Sequence, residues 1–296
     1  MFAIFYLLFN GKMCIMKTKC IKANEGKGIK MNSKKKNIIG IVVGTVWYLT
    51  VLSCLTGVFQ EYYDENTTFL LVALVNIIGI IAMIIFTGHR KALGFTFKSF
   101  RHGLIISAPL TLFVIYSLVS GLVEGFNECG SMTLNKQQFL IWILGYFVSA
   151  GICEEFLCRG LFLNSFISLW GKSKKGILLS MISSSILFGL FHLVNLLDPE
   201  VYGLAVIGQI IYSLGFGILF AAIYIRSNNI WVPVVIHFLY DAGQTIYSEC
   251  FYCYEEGNSE GMSILSYFIL CVTIFLACTL WGLFLVRNKK IKDVIE

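Results

Sequence analysis

The chain has 296 residues, of which 57% are hydrophobic and only 14% are charged. This composition excludes an ordinary soluble domain and predicts an all-α, polytopic membrane protein. The net charge of +6 does not indicate nucleic acid as a partner, because the basic residues form no stripe with interleaved aromatic residues. They stand instead at the ends of apolar segments, where they orient a protein in lipid, so membrane lipid is the predicted partner.

The first segment, 1–36, is rich in lysine and is predicted to be a basic, disordered tail on anionic lipid. Its apolar start, 1–9, is too short to cross a membrane. Met31 precedes Ser33-Lys-Lys-Lys directly before the first long apolar segment, so it is an alternative start of the protein.

Apolar segments of roughly 20 residues, the length that spans a bilayer, recur along the rest of the chain. About eight spanning helices are therefore predicted: Asn37–Phe59, Thr67–Thr87, Gly103–Gly125, Gln138–Ile167, Gly176–Leu197, Leu204–Ile225, Ile230–Ser248 and Ile264–Val286. The first three form the region 37–137. The next four form a catalytic core, 138–248, which we expect to enclose an intramembrane cavity. The region 249–296 holds an outer loop, the last helix and a basic tail.

The charges predict the orientation. If the N-terminus is cytoplasmic, the inner segments are the two tails and the loops 88–102, 168–175 and 226–229. These segments hold all but two of the 23 Lys and Arg residues, the exceptions being Lys136 and Arg159. The outer segments are acidic, so the positive-inside rule predicts a multi-pass protein of the cell membrane with both termini cytoplasmic. The loop 88–102 is expected to be a plain orienting loop rather than an amphipathic helix.

Cysteines indicate little about function. Most of them fall within apolar segments, where they are expected to act as small fillers. Cys250, Cys253 and Cys129 fall in outer segments, so a disulfide among them is left open.

Ionisable residues interrupt the apolar segments at few positions, and such residues normally face an interior cavity. Glu155 and Arg159 are four residues apart, in the favourable order for an ion pair on one helix face. Glu154 points about 100° away on a helix and has no cation within the segment. It is therefore predicted to be a general base. The alternative is that these three charges only lock helices together.

Two further segments carry histidine. His192 lies in the fifth predicted span, with Asn195 one turn further on as a candidate hydrogen-bond partner. His237 and Asp241 lie one turn apart in the seventh span. That spacing suits a metal pair or a carboxylate that fixes the imidazole tautomer, and the alternative is a local hydrogen bond without chemistry.

These residues form three motifs in order, each on its own predicted span: Glu154-Glu155-x-x-x-Arg159, Phe188-x-x-x-His192 and His237-x-x-x-Asp241. In this arrangement the chain resembles the CAAX protease and bacteriocin-processing family of intramembrane peptidases, over roughly Gln138–Ser248. The resemblance implies a membrane-embedded endopeptidase that hydrolyses a peptide bond in a membrane-associated or lipidated substrate.

The resemblance also implies roles for individual residues. Glu154 would activate the attacking water, with His192 holding or polarising that water. Glu155 and Arg159 would support the site. His237 and Asp241 would stabilise the oxyanion, or would bind Zn²⁺ together with other residues of the site. The candidate zinc ligands are Glu154, His192, His237 and Asp241. The resemblance favours a metalloprotease, and the alternative is a metal-free mechanism that uses the glutamate alone.

Asp241 departs from the prenyl-protein branch of the family, which has Asn at this position. An ionised Asp would repel an oxyanion, whereas Asn can donate a hydrogen bond to it. Asp241 is therefore expected to be protonated, to orient His237 or to bind a cation.

Two other functions fit the same residues. One is a non-catalytic role in bacteriocin self-immunity or as a scaffold for surface proteins. The other is an ion-coupled or proton-coupled transporter, although the chain shows no inverted repeat.

Overall fold

The computed structural model describes residues 31–94, 96–129, 133–197, 202–252 and 263–287. The predicted tail lies largely outside them, as do Cys253 and the side chain of Cys129, whereas Cys250 is a buried free cysteine. The described residues form helices and one isolated β-bridge, which confirms the all-α prediction. The helices are α1 (Ser33–Gln60), α2 (Glu65–Thr87), α3 (Phe97–Ile106), α4 (Ala108–Cys129), α5 (Lys136–Trp170), α6 (Lys174–Leu197), α7 (Gly203–Ser227), α8 (Trp231–Cys250) and α9 (Ile264–Val286).

Within the described residues, seven helices are long and apolar enough to cross a membrane, namely all except α3 and α8. Helix α8 corresponds to the predicted span Ile230–Ser248, but polar residues such as His237, Asp241 and Glu249 reduce its hydropathy. It packs against α4 and α5 nonetheless. Helix α8, which is not among the seven apolar helices, therefore carries two of the predicted site residues, His237 and Asp241.

The third predicted span is wrong in its limits. Residues expected to form a plain loop and the start of that span instead form a 3₁₀ turn, His89–Leu93, and helix α3. Helix α3 ends at Ile106, and α4 begins at Ala108, after the single residue Ser107. Pro109 explains the break, because its nitrogen cannot donate a helical hydrogen bond and its ring clashes with the preceding turn.

The 3₁₀ turn after α2, His89–Leu93, is named the inner turn after its predicted side of the membrane, and it holds the start of α8. The backbone N–H of Ile230 donates to the carbonyl oxygen of Leu93 at 2.8 Å. Gly94 has a positive φ of 60°, and a Cβ there would collide with the carbonyl of Asn228. Only glycine at position 94 lets the turn approach the α7–α8 connection this closely, and the hydrogen bond from Ile230 to Leu93 joins the two segments. The first turn of α8 is thereby held in place.

Small residues let α8 approach α4 closely. A Cβ on Gly121 would lie 2.6 Å from the carbonyl oxygen of Gly243, so the two helices meet backbone to backbone. Such contacts between small residues are the usual means of close packing between membrane helices. This contact sets how deeply α8, and the side chains on its opposite face, enter the bundle.

Helix α5 is not a regular α-helix along its central part. Two π-helical stretches, Phe147–Glu154 and Phe156–Leu163, occupy the region that carries the first motif. The side-chain amide of Asn164 donates to the carbonyl oxygens of Arg159 at 3.0 Å and of Gly160 at 2.9 Å. Asn164 therefore gives two carbonyls of this irregular stretch a side-chain partner. π turns of this kind occur frequently at functional sites.

Candidate functional site

Glu155 is the centre of the buried polar cluster. The residue is fully buried, and its Oε1 atom accepts hydrogen bonds from Arg159 Nη1 and from His237 Nδ1, both at 2.9 Å. An ionised carboxylate can only accept, so the hydrogen atom of this second bond is on Nδ1 of His237. The ion pair between Glu155 and Arg159 is the one predicted from the spacing. The bond to His237, which is 82 residues away in the chain, was not predicted.

Arg159 connects three helices. Its side chain is buried, and Nη2 donates to the carbonyl oxygen of Gly217 in α7 at 3.3 Å. The guanidinium carbon lies 4.8 Å from the ring centre of Phe188 in α6 and 5.3 Å from that of Phe220 in α7. These are cation–π contacts in a desolvated setting, where they contribute most. Arg159 therefore stabilises the packing around the site and does not reach into the cavity.

The second nitrogen of His237 faces two further carboxylates. Nε2 lies 3.5 Å from Oδ2 of Asp241 and 3.9 Å from Oε2 of Glu154. The side chains of these two acids are 30% and 21% exposed, so both remain accessible from the cavity. The predicted contact within α8 is present. However, Glu155 and not Asp241 fixes the tautomer of His237.

His192 lies on the other side of the cavity, where α6 changes from α-helix to a 3₁₀ turn. Its Nδ1 atom donates to the carbonyl oxygen of Phe188 at 3.1 Å, which leaves Nε2 free to accept. The partner predicted for it, Asn195, instead donates to Gln209 at 2.8 Å. Within the described part of the chain, no hydrogen bond or ion pair joins His192 to Glu154. The two residues share the cavity without contact.

A cavity of about 370 Å³ joins these groups. Four of the predicted site residues line it: Glu154, His192, His237 and Asp241. The wall also includes Tyr48 from α1 and Phe69 from α2, so helices outside the predicted core contribute to the cavity as well. Tyr48 is buried, and it lines the same cavity as Glu154. No sequence signal distinguished Tyr48 from other tyrosines in apolar segments.

The geometry gives no support for a metal-ligand group. Within the described residues, no three His, Cys, Asp or Glu side chains are arranged to hold a metal ion. The zinc site with Glu154, His192, His237 and Asp241 as ligands therefore stays a prediction.

The fold and the cavity define the class of the molecule as a multi-pass membrane protein with an acid–imidazole site enclosed by its helices. Residues 136–243 match the family model described as type II CAAX prenyl endopeptidase Rce1-like. This match confirms the resemblance predicted from the three motifs, and it spans all six predicted site residues. No curated protein matches the chain.

Proposed function

We propose that the protein is a membrane-embedded endopeptidase that hydrolyses a peptide bond in a membrane-associated or lipidated substrate, with both termini in the cytoplasm. One observation carries this proposal. The carboxylate of Glu154 has no Lys or Arg partner among the described residues, and it faces the same cavity as an imidazole whose orientation is fixed from behind by Glu155. A carboxylate without a Lys or Arg partner, beside an oriented imidazole, is what general acid–base hydrolysis requires. The name of the matching family supports the same reaction class.

The balance of charge supports separate roles for the two exposed acids. Glu154, Glu155 and Asp241 share one Arg and one His, so full ionisation leaves a net negative charge even when His237 is protonated. An uncompensated charge in a medium of low dielectric constant is strongly disfavoured. In our proposal the cluster therefore holds one more proton, shared between Glu154 and Asp241. When Asp241 carries this proton, Glu154 is the base.

The proposed reaction follows from these protonation states. Glu154 takes a proton from a water molecule, and the water oxygen forms a bond with the carbonyl carbon of the peptide. His237 Nε2–H and protonated Asp241 donate hydrogen bonds to the developing oxyanion, which is the interaction that accelerates such steps most. Glu154 then gives the proton to the leaving nitrogen as the C–N bond breaks. His192 accepts from the water through Nε2 on the opposite wall.

The test is a pair of isosteric substitutions in purified protein reconstituted into liposomes. Glu154→Gln removes the base and should reduce cleavage by roughly 10²- to 10⁴-fold. Glu124→Gln, at an exposed acid on α4 that does not line the cavity, is the matched control and should retain activity. The probes are quenched fluorescent peptides anchored to lipid, one of them farnesylated and ending in a CAAX sequence. Full activity in the Glu154 variant would refute the assignment of the base.

A further inference from the structure

The cavity extends from the acid–imidazole cluster toward one end of the bundle. The lining residues beyond the cluster lie late in α1, α6 and α8 and early in α2 and α7, as Leu52, Asn195, Gln244, Phe69 and Gln209 show. Successive spans run in opposite directions, so these positions are all at the same end. It is the end remote from Ser33, where α1 begins, and from Val286, where α9 ends.

The other end of the cavity is closed. Leu157, Cys158 and Phe220 form its floor, and each of them is buried. The next residues of α5 toward its C-terminus, including Leu161 and Phe162, are completely buried as well. The described part of the chain therefore offers access to Glu154 from one end of the bundle.

The charge distribution identifies the open end. The segments at the closed end hold nearly all of the lysines and arginines, which mark the cytoplasmic side. The segments at the open end are acidic, and they include Glu61, Asp64 and Glu249. The mouth of the cavity therefore faces away from the cytoplasm.

The cavity itself is acidic. Its described lining includes Glu154 and Asp241 but no lysine or arginine, since Arg159 is buried behind the wall. A free carboxyl terminus bound there would find no lysine or arginine as a partner, and the ionised carboxylate of Glu154 would repel it. A neutral or positively charged peptide segment would not be repelled in this way.

From these observations we propose that the site is entered from the extracytoplasmic side, and that it accepts a neutral or cationic peptide segment attached to the outer membrane surface. The proposal rests on the peptidase function proposed above and specifies its substrate class. It disfavours the free carboxyl terminus of a cytoplasmic protein. The apolar part of the wall, with Leu52 and Phe69, suits the apolar side chains that such a segment would carry.

The side of entry can be measured without any peptidase assay, so its failure is distinct from failure of the proposed function. Ser149→Cys places a nearly isosteric thiol on the cavity wall between the mouth and Glu154. Leu144→Cys, exposed on the lipid-facing side of α5, and Lys175→Cys, exposed at the closed end, are the controls. A membrane-impermeant thiol reagent is added to intact spheroplasts, and peptide mass mapping separates the new thiols from native cysteines.

We expect labelling of Ser149→Cys in intact spheroplasts, labelling of Lys175→Cys only after lysis, and none of Leu144→Cys. Labelling of Ser149→Cys only after lysis would overturn the side of entry, and no labelling in either case would overturn a water-accessible cavity. For charge, Ser149→Cys should react with a cationic methanethiosulfonate faster than with an anionic one. The ratio of the cationic rate to the anionic rate at Ser149→Cys should be roughly tenfold higher than the same ratio at Tyr62→Cys, which lies on the exposed outer turn. Equal ratios would overturn the preference for cationic segments.

Discussion

The buried pair of Glu155 and Arg159 should be strongly coupled, and the structure sets the size of the effect. Both side chains are almost inaccessible, and the second oxygen of Glu155, Oε2, has no hydrogen-bond partner among the described residues. Arg159→Met therefore leaves a carboxylate whose remaining partner is His237. Breaking a buried pair from one side costs about 3–5 kcal/mol of unfolding free energy. We expect the lower part of this range, because His237 still compensates part of the charge.

The double variant should be much less destabilised than the sum of its parts. Glu155→Gln leaves Arg159 buried without an anion, whereas Glu155→Gln with Arg159→Met removes both charges together. We expect a coupling energy of at least about 2 kcal/mol, near the upper part of the range for residues in contact. The measurement is the unfolding free energy of all four proteins in mixed micelles titrated with dodecyl sulfate. Additivity within about 0.5 kcal/mol would refute the reasoning, since uncoupled residues behave in that way.

Three further predictions concern other residues. Asp241→Asn should retain most cleavage activity, because Asn also donates to an oxyanion; loss of activity as complete as in the Glu154→Gln variant would contradict this. Gly121→Leu should lower thermal stability and activity by displacing α8, whereas Gly57→Leu, where a Cβ meets nothing within 4 Å, is the control that should do neither. Burial lowers the pKa of His89, in the inner turn, to about 4. The unfolded chain binds that proton near pH 6.5, so stability should fall as the pH drops from about 6.5 toward 4. His89→Gln should weaken this dependence in melting curves recorded at several pH values, and an unchanged dependence would argue against His89.

Local spacing was enough to predict the ion pair of the first motif. Glu155 and Arg159 lie on one continuous helix, and their relative position depends on little else. The contact between His237 and Asp241 follows from the same kind of spacing. The alternation of basic and acidic segments likewise predicted a multi-pass protein without knowledge of how its helices pack.

The contacts between helices were beyond prediction. The bond between Glu155 and His237 depends on the rotation and depth of α8, which the inner turn and the contact of Gly121 with Gly243 determine. Tyr48 shares a cavity with Glu154 only because α1 closes the side of that cavity. The sequence alone gives no signal for either of these contacts, because each depends on how closely two distant segments of the backbone approach each other. The π-helical stretches of α5 were also missed, since the prediction assumed regular turns throughout.

The π-helical stretches make the length of α5 more important than much of its side-chain chemistry. A π turn accommodates about one more residue than an α turn. Deleting one residue between Phe147 and Leu163 would let a wide turn relax to a regular α turn, and side chains within that turn would change face by up to about 100° relative to the rest of the helix. Glu155 and Arg159 lie beside or within these turns, so their alignment with α7 and α8 would be lost although both residues were still encoded. Natural variation in this stretch should therefore consist of replacements and not of insertions or deletions, and comparison of genomes could detect that constraint.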